Sequence, residues 1–125
     1  MKVLSLLLWI LPAIATGGEL ECLASIMHSE ANGESLLGII AVAQSSINRS
    51  KITKRSICTI RGVTRRSPPD NVAKHYVSLA RSILAGGISI VGTADSWDRA
   101  LKPKYAGRIN RRIGRHTFYT SKRLN

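Results

Sequence analysis

Glu21 to Arg49, ECLASIMHSEANGESLLGIIAVAQSSINR, reads as two helices hinged at Asn32-Gly33. On the first, Leu20, Leu23, Ala24, Met27 and Ala31 fall on one face of a helical period, and such a face belongs in a core. Glu30 lies at the edge of that face, just before the break, and points toward whatever cleft the turn creates. Asn32-Gly33 tolerate positive φ and stop the first helix, while Glu34-Ser35 open the second with acidic charge at its positive end. Leu36, Ile40, Ala43 and Ile47 give the second helix its apolar stripe. Spacing alone leaves Glu30 either a solvated helix-end carboxylate or an acid with a chemical task.

The chain has 125 residues, enough for one domain with a single core. Its first fifteen residues read as an export segment: Met1-Lys2, an apolar run from Val3 to Leu11, Pro12, then Ala13-Ile14-Ala15 as a small-x-small cleavage site. The apolar run is short of the ~20 residues a membrane span needs. Export with cleavage is the expectation; an uncleaved anchor, or a signal that arrests and releases later, are the alternatives. The domain that remains, residues 16–125, is strongly basic, because the whole chain carries nineteen Lys and Arg against seven Asp and Glu and the leader holds only Lys2. Such a balance calls for an anionic partner: nucleic acid, anionic lipid or the acidic polymers of a cell envelope. An export signal favours the last. Cys22 and Cys58 form an even count that invites pairing in an oxidising compartment, or else they are two buried thiols. Cys/His metal spacing is absent from the sequence, so a zinc site is not expected. No cofactor is expected.

Along the chain, helices are expected from Glu19 to Ala31 and from Glu34 to Arg49, followed by a basic link, Lys51 to Arg55. Ser56 to Val63 is β-branched and alternating, which suggests a short strand. Thr64 to Asp70 is a loop whose Pro68-Pro69 forbids helix before Asp70, an N-cap candidate. Val72, Ala73, Tyr76, Ala80, Ile83 and Leu84 then mark a third helix ending at Gly86-Gly87; His75 on it reads as solvated. Ile88 to Val91 is a strand or an apolar link, and Gly92 to Pro103 an irregular loop. That loop sets Asp95, Ser96 and Asp98 around Trp97. A ring face flanked by carboxylates suits a sugar, although Trp97 as a core anchor with two turn aspartates fits equally. Tyr105 to Arg115 is basic, and His116 to Tyr119 is a short strand.

ECLASIMHSEANGE followed by LLGIIAVAQSSINR, with the distal IGRHTFY, resembles the SleB-like cell-wall hydrolase family. The resemblance covers nearly the whole chain after the leader. It implies a small lysozyme-like α+β domain, mostly helical with a short β-sheet, acting on the glycan strands of peptidoglycan. It also implies that Glu30 is the catalytic acid, that Cys22 and Cys58 form a disulfide, and that Glu34, Asn48 and Arg49 shape the turn and the helix end. The chain departs from the family pattern at Gly62-Val63-Thr64-Arg65-Arg66 and at Ala94-Asp95-Ser96-Trp97-Asp98, both of which would line the groove.

Most glycosidases pair the acid with a second carboxylate. A lytic transglycosylase does not need one, because the muramoyl C6 hydroxyl attacks its own anomeric carbon and a single glutamate serves as acid and then base. One well-placed acid therefore favours transglycosylation over a plain muramidase. Burial beside Ile26, Met27 and Ala31 would favour the protonated form the acid needs; a nearby arginine would oppose it. Asp95, Ser96, Asp98 and Tyr119 are candidates for supporting contacts, with Trp97 as the sugar platform. A monomer that does not bind nucleic acid is expected. The rival is a non-catalytic basic module binding envelope polymer or nucleic acid through charge alone.

Overall fold

The computed structural model describes residues 17–124, so the expected export segment, residues 1–15, lies outside the described residues. Three helices, α1 (Gly17–Ala31), α2 (Leu36–Thr53) and α3 (Asp70–Leu84), precede three strands, β1 (Ser96–Asp98), β2 (Ala106–Ile113) and β3 (His116–Ser121). The strands form one antiparallel sheet in the order β1-β3-β2, which makes a small α+β domain. Among the described residues no helix is long and apolar enough to cross a membrane.

Helix α1 buries the face its spacing predicts: Leu20, Leu23, Ala24, Met27 and Ala31 all lie in the core, joined by Ile26. The turn after it relies on Gly33 at φ 88°, in the left-handed region that side chains avoid. Ser35, not Glu34, caps α2, its hydroxyl accepting from Gly38 N at 3.2 Å, and the helix runs four residues beyond Arg49 to Thr53. Its buried face also differs in phase from the expectation. Ile39, Val42, Ala43, Ser46 and Arg49 point inward, while Leu36 is 58% exposed and Ile40 and Ile47 are half-buried. The run LLGIIAVA is apolar on every side, so periodicity could not choose the face; the polar residues that end in Arg49 choose it. In α3, Tyr76, Ala80 and Ile83 are buried as expected. Pro69 takes the N-cap position there, and Asp70 is the first helical residue.

The α2–α3 connection is not a strand where SICTIRGV suggested one. Ser56 O accepts from Thr59 N at 2.9 Å and from Ile60 N at 3.1 Å, a turn that drops Ile57 and Ile60 into the core. The connection then runs against α1: Glu19 Oε1 accepts from Ile57 N, Ser25 Oγ donates to Arg66 O, and Ser29 Oγ accepts from Arg66 N. Cys22 and Cys58 are bonded, with Cα atoms 5.2 Å apart. Ile88 to Val91 is a link rather than a strand, because Gln44 substitutes for a strand partner: its amide oxygen accepts from Ile90 N and Val91 N, and its amide nitrogen donates to Ile88 O. Two strands occupy stretches the sequence left irregular, β1 within the Trp97 loop and β2 within the basic segment. β3 explains both. Its residues His116 to Tyr119 are buried in sequence, and a strand covered on both faces needs a neighbour on each edge.

The disulfide closes a loop over a sequence separation of 36, which in the chain-entropy account stabilises the fold by about 3–4 kcal/mol. The Cys22→Ser, Cys58→Ser double variant should lose that amount in a urea titration at constant m-value. A loss below about 1 kcal/mol would mean that the hydrogen bonds to α1 hold the connection without the bridge.

Candidate active site

Glu30 sits in the last turn of α1, half-buried, where three parts of the chain meet. Its Oε2 accepts from Trp97 Nε1 of β1 at 3.2 Å, and its Oε1 accepts from Thr64 N of the α2–α3 connection at 3.3 Å. Helix position sets the direction of the side chain, the disulfide-tethered connection brings Thr64, and pairing of Trp97 with Phe118 fixes the indole on the sheet. The carboxylate is therefore oriented from two sides before anything binds.

Behind Trp97 lies Arg49, 8% exposed, with its guanidinium carbon 5.2 Å from the indole centre. Arg49 Nε donates to Asp95 O at 2.9 Å, Nη1 to Arg61 O at 2.7 Å and Nη2 to Ser96 Oγ at 3.3 Å. Gly62 makes room for it: its φ is +78°, and a Cβ there would come within 3.1 Å of Nη1. Burial lowers the Arg49 pKa, and the Asp95 carboxylate is the first influence to oppose that, ahead of Tyr119 and Glu30. Next to it, Asn48 Nδ2 donates to Gly92 O and Ala94 O, so the end of α2 holds the approach to β1 as well.

The residues expected around the substrate divide into two groups. Asp95 and Ser96 are buried, 1% and 4% exposed, and their polar atoms are used internally: Asp95 Oδ1 accepts from Ser96 Oγ at 2.7 Å and from Ser121 N at 3.0 Å. They offer a sugar almost no surface and brace Arg49 and the sheet instead. Tyr119 is also buried; burial first and Asp98 second raise its phenol pKa, against Arg49 and a hydrogen bond with Ser96, so it remains a neutral hydroxyl. Trp97 and Asp98 are half-buried and keep some surface, Trp97 in contact with Glu30 through its indole nitrogen, and Asp98 Oδ1 accepts from Ala100 N at 2.8 Å. Trp97 is thus both a core-packed ring and a group at the site.

Sequence reasoning gave no role to His116, and to Glu34 only that of shaping the turn. The Glu34 side chain is 9% exposed, with Oε2 3.5 Å from Arg115 Nε and Oε1 3.2 Å from His116 Nδ1. The second contact lies off the line of a hydrogen bond, and neither atom has another partner. Burial lowers the His116 pKa; Glu34 and Glu30 pull it up, Arg99 and Arg115 push it down. A usable signal was present, since an acid following Gly33 and a histidine following Gly114-Arg115 mark two turns that can face each other. His75 is exposed, and among the described residues no group of three or more His, Cys, Asp and Glu could hold a metal ion. A cavity of about 660 Å³ opens between α1, α3 and Ser67-Pro68, lined by Glu21, Ser25, Lys74 and Arg81 among others; Glu30 does not line it.

The chain matches no protein-family model, no curated protein and no solved structure.

Two outcomes follow from this geometry. Arg49→Lys keeps the charge but cannot fork to three acceptors, so urea unfolding should show a loss of about 2–3 kcal/mol; an unchanged midpoint would deny the guanidinium its bracing role. Because the folded pKa of His116 is lowered, its neutral form favours the fold. That contribution is complete above about pH 6.5, the ordinary histidine value, and is lost as pH falls through the lowered one. His116→Gln should therefore lose less stability than wild type between neutral and mildly acidic pH, and equal losses would contradict the assignment.

Proposed function

We propose that the protein cleaves the glycan strands of peptidoglycan as a lytic transglycosylase, with Glu30 as its single catalytic acid and base. The observation that carries this reading is the Glu30 carboxylate, half-buried at the meeting of α1, β1 and the α2–α3 connection and oriented by Trp97 Nε1 and Thr64 N. The resemblance of SEANGE and IGRHTFY to cell-wall hydrolase motifs supports the substrate class. The Cys22–Cys58 bridge suits action outside the cytoplasm, where disulfides persist.

In the reaction, protonated Glu30 gives its hydrogen to the glycosidic oxygen as the bond from that oxygen to the muramoyl anomeric carbon breaks. The C6 hydroxyl of the same muramoyl unit bonds to the anomeric carbon and returns its proton to the Glu30 carboxylate. The products are a 1,6-anhydro sugar and a free hydroxyl, and no water is consumed. A protonated carboxyl retains acceptor sites for Trp97 and Thr64, so both contacts can persist while the proton is in place. Trp97 offers a ring edge and face to the sugar.

The engagement of neighbouring acids favours this over hydrolysis by two carboxylates. Asp95 is enclosed, Glu34 is taken up by Arg115 and His116, and Asp98 holds its own turn. A purely cationic binding module would require none of the contacts that orient Glu30.

On purified sacculi, wild type should clear turbidity and release fragments ending in 1,6-anhydromuramic acid, identified by mass spectrometry. Glu30→Gln should retain the fold and sacculus binding, with release slowed about a hundred- to ten-thousand-fold. Digestion by Glu30→Gln at the wild-type rate would refute the catalytic assignment. Wild-type products with reducing muramic acid ends would replace transglycosylation with hydrolysis, and a turbid suspension with bound protein would favour the binding module.

A further inference from the structure

From Arg99 to the end, the sequence contains nine Lys and Arg and no Asp or Glu. All nine are exposed: Arg99, Lys102 and Lys104 before β2, Arg108, Arg111 and Arg112 on it, Arg115 at the β2–β3 turn, and Lys122 and Arg123 after β3. Among the described residues Arg115 alone of these reaches a carboxylate, that of Glu34. Charge of one sign gathered on one hairpin is self-repelling, and it is relieved by an external anion.

Apolar side chains are interspersed with this charge. Leu101 is 71% exposed, Ile109 47% and Tyr105 38%. Leu101 stands next to Lys102; on β2, Ile109 shares a sheet face with Arg112, opposite Tyr119 and Thr117, while Arg108 and Arg111 lie on the other face, so cations flank the strand's open edge on both sides. The Tyr105 ring lies 4.3 Å from the Arg123 guanidinium carbon and 5.5 Å from Lys104 Nζ. Lys122 N donates to Tyr105 O, which ties the end of β3 to the start of β2. β2 is an edge strand, so no other part of the sheet covers its outer side.

We propose that the β2–β3 hairpin and the loop before it form a peripheral docking surface for a bilayer rich in anionic phospholipid. Arginine and lysine would pair with lipid phosphates, while Leu101 and Ile109 enter the headgroup boundary and Tyr105 sits at the level where aromatic rings with a polar end collect. A soluble polyanion such as a nucleic acid or an envelope phosphopolymer satisfies the cations equally but gives Leu101 and Ile109 nothing to bury against. The exposed apolar residues are what favour the bilayer. Docking here does not involve Glu30 and is independent of the proposed cleavage.

The test is co-sedimentation with two sets of vesicles, phosphatidylcholine alone and phosphatidylcholine mixed with phosphatidylglycerol in equal parts, using chains that share one N-terminus. Wild type should bind the mixed vesicles and not the neutral ones. Arg108→Glu with Arg111→Glu should weaken binding by at least about a hundredfold, given roughly fivefold for each unit of charge near such a surface. Leu101→Ser with Ile109→Ser should weaken vesicle binding about tenfold while leaving retention on polyphosphate unchanged. Leu101→Ser alone, in the loop, gives a smaller loss in the same direction and guards against disruption of the sheet. Glu30→Gln should bind vesicles as wild type does, so failure of the cleavage reading would leave this result standing. Equal binding to both vesicle types, no binding to either, or apolar variants that bind like wild type would each overturn the proposal.

Discussion

A single buried guanidinium holds this domain's parts in register. Arg49, near the end of α2, reaches the backbone of Asp95 at the entry to β1, the backbone of Arg61 in the α2–α3 connection, and the hydroxyl of Ser96. A cation removed from water is tolerated only where its donors are used and its charge is balanced. Here the donors go to two carbonyls and a hydroxyl, and Asp95, the charge that favours the cation most, is sealed in with it. Elements that share no backbone hydrogen bond thus acquire a common anchor. Gly62, at φ +78°, leaves that space open, since a Cβ there would come within 3.1 Å of Arg49 Nη1.

The candidate site inherits its order from that anchor. Arg49 lies under the face of Trp97, and Trp97 aims its indole nitrogen at Glu30. The connection that Arg49 grips at Arg61 presents Thr64 N to the other carboxylate oxygen. For the proposed chemistry this matters because a proton donor is effective only when positioned before the substrate arrives. Glu34 and His116 lie side by side at the far turn without a well-formed hydrogen bond, and burial holds the imidazole toward its neutral form.

Much of the helical part was legible in the sequence, because α1 and α3 each carry a one-sided apolar stripe with clear stops, Gly33 after the first and Pro68-Pro69 before the last. Helix α2 was harder. Its all-apolar first half has no preferred face, and the side that became core was fixed by Arg49, a residue that composition places on the surface. The sheet was least legible: β1 is three residues long and β2 reads as a cationic run, so neither shows the alternation that identifies a strand. Both exist because β3 is buried from His116 to Tyr119 and needs partners there. At the site, Glu30 and Trp97 were identifiable as individual residues, whereas the hydrogen bond between them spans 67 positions and follows only from the folded chain. Asp95 and Ser96, read as exposed to substrate, are enclosed because Arg49 required them.

For cleavage, a glycan must reach the carboxyl that Trp97 and Thr64 orient. The most direct measurement is a crystal structure of the Glu30→Gln variant with a muramic-acid-containing oligosaccharide. The scissile glycosidic oxygen should lie about 3 Å from the amide of residue 30, with a sugar ring against Trp97. An oligosaccharide seated instead in the cavity between α1 and α3, with the surroundings of residue 30 unoccupied, would contradict it.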